Sequence, residues 1–204
     1  MLGLPKSTEV NKQLTKKAIY AKFQMSNAEK EKIDADISRI TIVNEISEAR
    51  TNIKSGENVK SLFVLNVTLK RKNFSEANIV KLSKLIPQNI LMILNFEDEA
   101  KLAVNHVKLI QSEWLSKDEL NIQLKGLDLD QVWENVIVQI GSIKVKEGNS
   151  LEEQIQKNER TEKIKKEIEK LEMQAKRENQ PKKRFEIAQQ VNKLKKELES
   201  THDK

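Results

Sequence analysis

The 204 residues carry 37 basic and 31 acidic side chains, a formal charge of +6, divided 22 to 19 over residues 1–149 and 15 to 12 over 150–204, so neither part is a polycation. With no cysteine, disulfides, thiolate metal sites and a cysteine nucleophile are excluded, which fits a reducing cytoplasm. No stretch approaches the roughly eighteen apolar residues of a membrane span, and Met1–Lys6 lacks a leader's basic-then-apolar pattern, so the expectation is a soluble, cytoplasmic chain of one medium domain plus an appendage.

Ser7 to Gln24 reads as a helix with a partial apolar stripe at Leu14, Ala18 and Ala21. Ser26, with Glu29 three residues on, is a capping box and opens a helix that carries Ile33 and Ile37 inward and ends near Arg39. The β-branched run Ile40–Val43 reads as a strand, and Asn52-Ile53-Lys54 as a short second piece before the turn at 55–58. From Leu62 to Lys72 the pattern is clear: Phe63, Leu65, Val67 and Leu69 alternate with Val64, Asn66, Thr68 and Lys70, giving one apolar and one mostly polar face. Ser75 opens a helix with Ile79, Leu82 and Leu85, stopped by Pro87.

Ile90 to Phe96 is nearly unbroken apolar sequence, as in a strand covered on both faces. A charged turn leads to its antiparallel neighbour at 102–109, and a further strand is expected at Leu120–Leu124. Asp128 caps the best-defined helix, with Gln131 at the capping-box position and Leu129, Val132, Trp133, Val136, Ile137 and Ile140 on one face; Gly141 stops it. This order of elements implies an α+β domain with a mixed, mainly antiparallel sheet over residues 1–141, followed by a linker at 142–150.

Residues 151–204 form a charged tail free of glycine. Ile164, Ile168, Leu171 and Ala175 recur at steps of four, three and four, and Ile187, Val191, Leu194 and Leu198 repeat the pattern, which is a coiled-coil seam. Pro181 cannot continue a helix but sits well at a first helical position, so the tail is expected to be an antiparallel helical hairpin. A single seam buries little against an ordering cost of about 1–2 kcal/mol per residue. The seam residues Ile164, Ile168, Leu171, Ile187, Val191, Leu194 and Leu198 are therefore expected to pack on something. Candidates are the chain's own domain, a second copy in a homodimer, or another protein; the alternative is a helical prop.

The stretches Leu4–Lys12, Ile86–Leu94, Ser112-Glu113-Trp114 and Gly126–Asn135 together resemble an uncharacterised bacterial domain-of-unknown-function family, number 4391, over nearly the whole chain. Around Glu97 to Trp114 the chain is compact beside typical members. Members are often encoded beside helicases and DNA methyltransferases in restriction-like or phage-defence loci. The resemblance implies a DNA-related assembly with a helicase or methyltransferase as protein partner, and carries over no catalytic residues.

The residues themselves offer little chemistry. A metal-dependent nuclease needs a strand-borne carboxylate one residue before a lysine, whereas here Val67-Thr68-Leu69-Lys70 lacks the acid. His106 and His202 have no ligand partners at zinc spacing, and the five glycines build no phosphate loop. Asp128 and Asp130 read as capping and helix-dipole residues, Trp133 as core, and Trp114 as packing with a partial surface platform. Lys70, Arg71 and Lys72, with Lys182, Lys183 and Arg184, are the candidate phosphate contacts for sequence-blind DNA binding. The expectation is an accessory or adaptor subunit with no catalytic, metal or cofactor site, docking through its tail, with a DNA-binding module and a degenerate nuclease as alternatives.

Overall fold

The computed structural model describes residues 2–146 and 148–202, with side chains given as far as Glu199. The chain forms two compact units, Met1–Ile143 and Lys144–Lys204. The first contains β1 (Glu9–Leu14), α1 (Lys16–Lys22), α2 (Asn27–Asp36), β2 (Ile37–Ser47), α3 (Glu48–Thr51), β3 (Ser61–Leu69), α4 (Glu76–Ser83), β4 (Asn89–Phe96), β5 (Glu99–Asn105), β6 (Leu109–Gln111), β7 (Leu115–Ser116) and α5 (Leu129–Gly141). The second contains α6 (Leu151–Arg177) and α7 (Pro181–His202). The first unit is α+β: strands β1 to β6 lie in chain order across one sheet, and β7 adds to β5. All neighbours run antiparallel except β3 and β4, whose parallel pairing needs a crossover, and α4 supplies it.

The alternation in β3 divides the sheet into its two faces. Leu65, Val67 and Leu69 join Ile40 and Ile42 of β2 and Met92 and Leu94 of β4 in one buried cluster. Helices α1, α2 and α4 cover it with Ile19, Ile33, Ile79 and Leu82. At about 1.5–3 kcal/mol per buried side chain, this layer is the main stabilising term. Helix α5 packs along β5 and β6 and contributes nothing to that cluster, so its buried stripe of Leu129, Val132, Val136 and Ile137 covers part of the other face.

Five boundaries differ from the sequence expectation. Ser7–Gln24 is a 3-10 turn at Lys6–Thr8, then β1, then α1, capped by Thr15, whose hydroxyl accepts from the Ala18 amide. Edge pairing to β2 overrides helix propensity there. The helix opened by Ser26 ends at Asp36 rather than near Arg39, because Ile37 already pairs with Leu69. Leu120–Leu124 makes no ladder: Leu120 and Ile122 are buried, but the chain is tied by the Ile122 amide to the Leu2 carbonyl and by Gln123 to the Gln139 side chain. Asn52–Lys54 likewise reduces to a single bridge between Lys54 and Asp128. Helix α5 closes at Ser142, in the left-handed region at φ 47°, one residue beyond the expected Gly141.

Asp128 caps α5 as expected, its side chain accepting from the Gln131 amide. Asp130 does something else. Its carboxylate accepts from the amides of Glu57 and Val59 at 2.7 Å and of Asn58 at 3.2 Å, holding the loop before β3 in a backbone nest. Desolvation pushes its pKa up, but the Val59, Asn58 and Glu57 amides outweigh it and the net shift is downward. A depressed carboxylate contributes stability that is fully present above the unfolded aspartate value of about 3.9 and fades as pH falls through the folded value. Asp130→Asn is therefore expected to speed amide exchange at residues 57–59 at neutral pH, with the difference from wild type shrinking in acid. Unchanged exchange would show that the nest does not hold the loop.

Candidate functional site

The polar face of β3 carries a pocket lined by strands of the sheet. Asn66 of β3, Asn44 of β2 and Glu9 of β1 line it, with Val43 and Ile93 as its apolar floor and Leu2 and Leu4 from the N-terminal segment as a wall; it encloses about 350 Å³. Two irregularities build it. Where β2 pairs with β3 the register shifts between Ile42 and Asn44, so Val43 and Asn44 both reach the pocket although they are adjacent in sequence. Where β1 pairs with β2 a second shift between Glu9 and Lys12 leaves Asn11 at φ 53° on the rim. Bulges re-aim side chains in this way.

The amides are held in defined orientations. The Thr8 hydroxyl gives its proton to the Pro5 carbonyl at 2.6 Å, so toward Asn44 it can only accept, and the Asn44 NH2 donates to it at 2.8 Å. The Asn44 carbonyl oxygen therefore faces away from Thr8. The Asn95 NH2 donates to the Ile93 carbonyl at 3.2 Å and to the Asn66 carbonyl oxygen. That leaves the Asn66 NH2 as a donor, and leaves the Asn95 oxygen buried with no hydrogen-bond partner. Glu9 is the one carboxylate on the pocket wall, and among the described residues no three His, Cys, Asp or Glu side chains converge to hold a metal.

Lys70, Arg71 and Lys72 follow β3 directly, and two of them are engaged within the chain. Asp36, 1 % exposed, accepts from Arg71 at 2.6 and 2.7 Å, from the Ser75 amide at 2.8 Å and from Asn78 at 2.8 Å. Desolvation acts to raise the Asp36 pKa, and the Ser75, Arg71 and Asn78 donors bring it below the usual aspartate value. Lys72 pairs with Glu99 and lies 5.5 Å from the centroid of the Trp114 ring. Lys101 also stacks there, 5.3 Å from Trp114 and 5.7 Å from Phe74, and its burial lowers its pKa. Trp114 thus packs against the core while carrying two ammonium groups on its ring. Lys70 is exposed and donates its amide to the Asp36 carbonyl at 2.8 Å. Trp133 is buried, and His106 stands just beyond β5. The side chain of His202 lies outside the described residues.

In the second unit α6 and α7 pack against each other. Ser150 and Glu153 form a capping box at the start of α6, which ends at Arg177, and Pro181 takes the first position of α7. Ile164, Ile168 and Val191 form a buried cluster, flanked by Leu171, Leu194 and Leu198, and Ile187 is buried as well. Ion pairs tie the two helices at Arg160–Glu197, 2.5 Å, and Lys195–Glu172, 2.7 Å. The seam residues expected to face a partner are thus closed on one another inside the hairpin, because two narrow apolar stripes satisfy each other when the chain reverses at Glu178–Gln180.

What the hairpin leaves exposed is its tip. Phe185 is 64 % and Met173 54 % exposed. Phe185 borders a hollow of about 530 Å³ with Pro181, Arg184, Lys176 and two alanines. From Met173 to Ala188 there are five cations, Lys176, Arg177, Lys182, Lys183 and Arg184, against Glu178 and Glu186; the remainder of 150–204 is balanced at ten of each sign. Arg160, Lys163, Lys165 and Lys195 of the stem stand in ion pairs, whereas none of the tip's five cations does among the described residues. Lys182, Lys183 and Arg184 are therefore together and exposed without an ion pair among the described residues, whereas Arg71 and Lys72, though exposed, are held by Asp36 and Glu99.

Sequence reasoning missed Asp36, the loop-holding role of Asp130 and the pocket. The signal for the pocket was present in part, in Asn66 and Thr68 on the polar side of β3. No curated protein and no solved structure shows significant similarity to the chain. With residues 2–198 matched by the model of the family described as a domain of unknown function, DUF4391, the chain belongs to that family.

Proposed function

We propose that the protein is a non-enzymatic accessory subunit of a DNA-directed assembly of restriction-like or phage-defence type, and that it docks on its partner through the tip of its helical tail. The DNA-directed setting rests on the helicases and methyltransferases that the family resemblance implies as neighbours. The docking mode rests on one observation: the hairpin satisfies its own seam and ties it with ion pairs between the helices, yet keeps Phe185 exposed among five cations that stand in no ion pair among the described residues. An exposed aromatic ringed by basic side chains suits an acidic protein surface with an apolar notch, the aromatic supplying affinity and the charges supplying rate and orientation.

A second reading is favoured by the same cations. Lys182, Lys183 and Arg184 in one turn also suit phosphates, and a sequence-independent DNA contact would weaken steeply with salt. Capture by the tagged full chain from native cells, compared with Lys182→Glu/Lys183→Glu/Arg184→Glu, tests the docking reading. A helicase or methyltransferase held by the wild type and lost by the variant, with capture insensitive to nuclease treatment, supports it. Loss of that prey on nuclease treatment alone favours the DNA contact.

A further inference from the structure

We infer that the pocket on the polar face of the sheet binds a small, uncharged, planar heterocycle that presents a hydrogen-bond donor beside an acceptor, the chemistry of the base of a free nucleoside. The polar wall is fixed in advance. Thr8 turns the Asn44 carbonyl oxygen away from itself, and Asn95 turns the Asn66 NH2 outward, so neighbouring strands offer one acceptor and one donor. This is the complement of an amide-like base edge, which Asn and Gln recognise by paired hydrogen bonds.

The fixing comes at a cost in stability. The Asn95 oxygen is left unpartnered in a side chain that is 6 % exposed, and a buried orphan acceptor is destabilising. The orphan is explained if the role of Asn95 is to orient Asn66. The two bulges bring Asn44 and Asn11 to the same opening, and bulges recur beside binding sites.

The remaining lining sets the ligand class. Val43, Ile93, Leu2 and Leu4 offer apolar surface to the faces of a ring. Among the described residues no Lys, Arg or His lines the pocket, and Glu9 is on its wall, so a phosphate or carboxylate is disfavoured. A volume of about 350 Å³ lies at the small end of ligand sites, which span about 300–1,000 Å³, and suits one nucleoside rather than a dinucleotide. A lone carboxylate with neutral amides is a weak site for a divalent cation, which takes six or more oxygens or keeps several waters.

The test is a titration of the full chain, labelled with nitrogen-15, with adenosine, guanosine, cytidine, uridine and thymidine in turn. Free ribose and magnesium chloride serve as comparison probes. The side-chain NH2 signals of Asn44 and Asn66 report directly from the pocket. The expected result is a saturable shift of both signals with at least one nucleoside and none with ribose. Asn66→Asp keeps the acceptor that Asn95 uses and removes the donor, and is expected to weaken binding about tenfold, the worth of one such hydrogen bond. Val43→Phe fills the floor without touching the polar wall and is expected to abolish binding; it decides the matter should Asn66→Asp fail to fold. No shift with any nucleoside, an equal shift with ribose, or a shift with magnesium alone that Glu9→Gln removes would each overturn the assignment.

Discussion

Replacing Asp36 by alanine is expected to lower the unfolding free energy of the first unit by about 2–4 kcal/mol, because two donors, the Ser75 amide and the Asn78 side chain, lose their acceptor. Asp36 sits where α2 hands over to β2, and its four donors come from the segment joining β3 to α4 and from α4 itself. Without the carboxylate, Arg71, 56 % exposed, loses its ion pair but stays solvated, whereas the Ser75 amide and the buried Asn78 amide lose their acceptor. Helix α4 is the crossover that makes β3 and β4 parallel, so the loss falls on the one connection the topology cannot do without. Thermal denaturation is expected to show a midpoint lower by roughly 5–10 °C. Asp36→Asn, which keeps the shape and one acceptor oxygen, should cost less. The pH dependence has a definite sign: the folded pKa lies below the unfolded value, so the contribution is full above about pH 4 and fades as pH falls. A loss under about 1 kcal/mol in the alanine variant would mean that the hub is not structural.

Ile168→Asp is expected to open the hairpin while leaving the first unit folded. Ile168 is buried in a cluster of only three residues with three flanking leucines, so no redundant core exists to absorb a charge. Truncating a buried isoleucine costs about 2–5 kcal/mol, and an unpaired buried carboxylate adds its desolvation. Helices of this polarity are marginal once the partner face is gone. Amide exchange over residues 151–199 should rise to near unfolded rates, with the far-ultraviolet helical signal reduced, while protection in β2 to β5 stays as in the wild type. Retained protection in the tail would show that something other than this seam holds it.

Where the pattern is local, the sequence was readable. The period-two alternation of β3, the Asp128 cap and apolar stripe of α5, the Ser26–Glu29 box and the break at Pro181 each depend on residues within a few positions of one another, and each stands in the structure. Edge strand β1 was not readable, because Glu9–Leu14 has no apolar alternation and is a strand only by pairing with β2. Asp130 read as a helix-dipole carboxylate and Asp36 carried no signal at all, since their partners lie 35 to 73 positions away. The pocket was hidden for the same reason. Glu9, Asn44, Asn66 and Asn95 come from four strands, and the two bulges that align them leave no sequence periodicity to detect. In the tail the seam was legible, but which surface it closes on was not, because an apolar stripe specifies burial and not the partner that supplies it.

The tail's mode of use is tested most directly by parallel capture with three tagged full-length proteins: wild type, Phe185→Ser, and Lys182→Glu/Lys183→Glu/Arg184→Glu. All three retain the seam and should give the same helical signal. The account predicts a protein partner retained by the wild type, weakened about thirtyfold by Phe185→Ser, as for an aromatic anchor worth about 2 kcal/mol, and lost with charge reversal. Equal recovery of the same partner by all three would contradict docking through the tip.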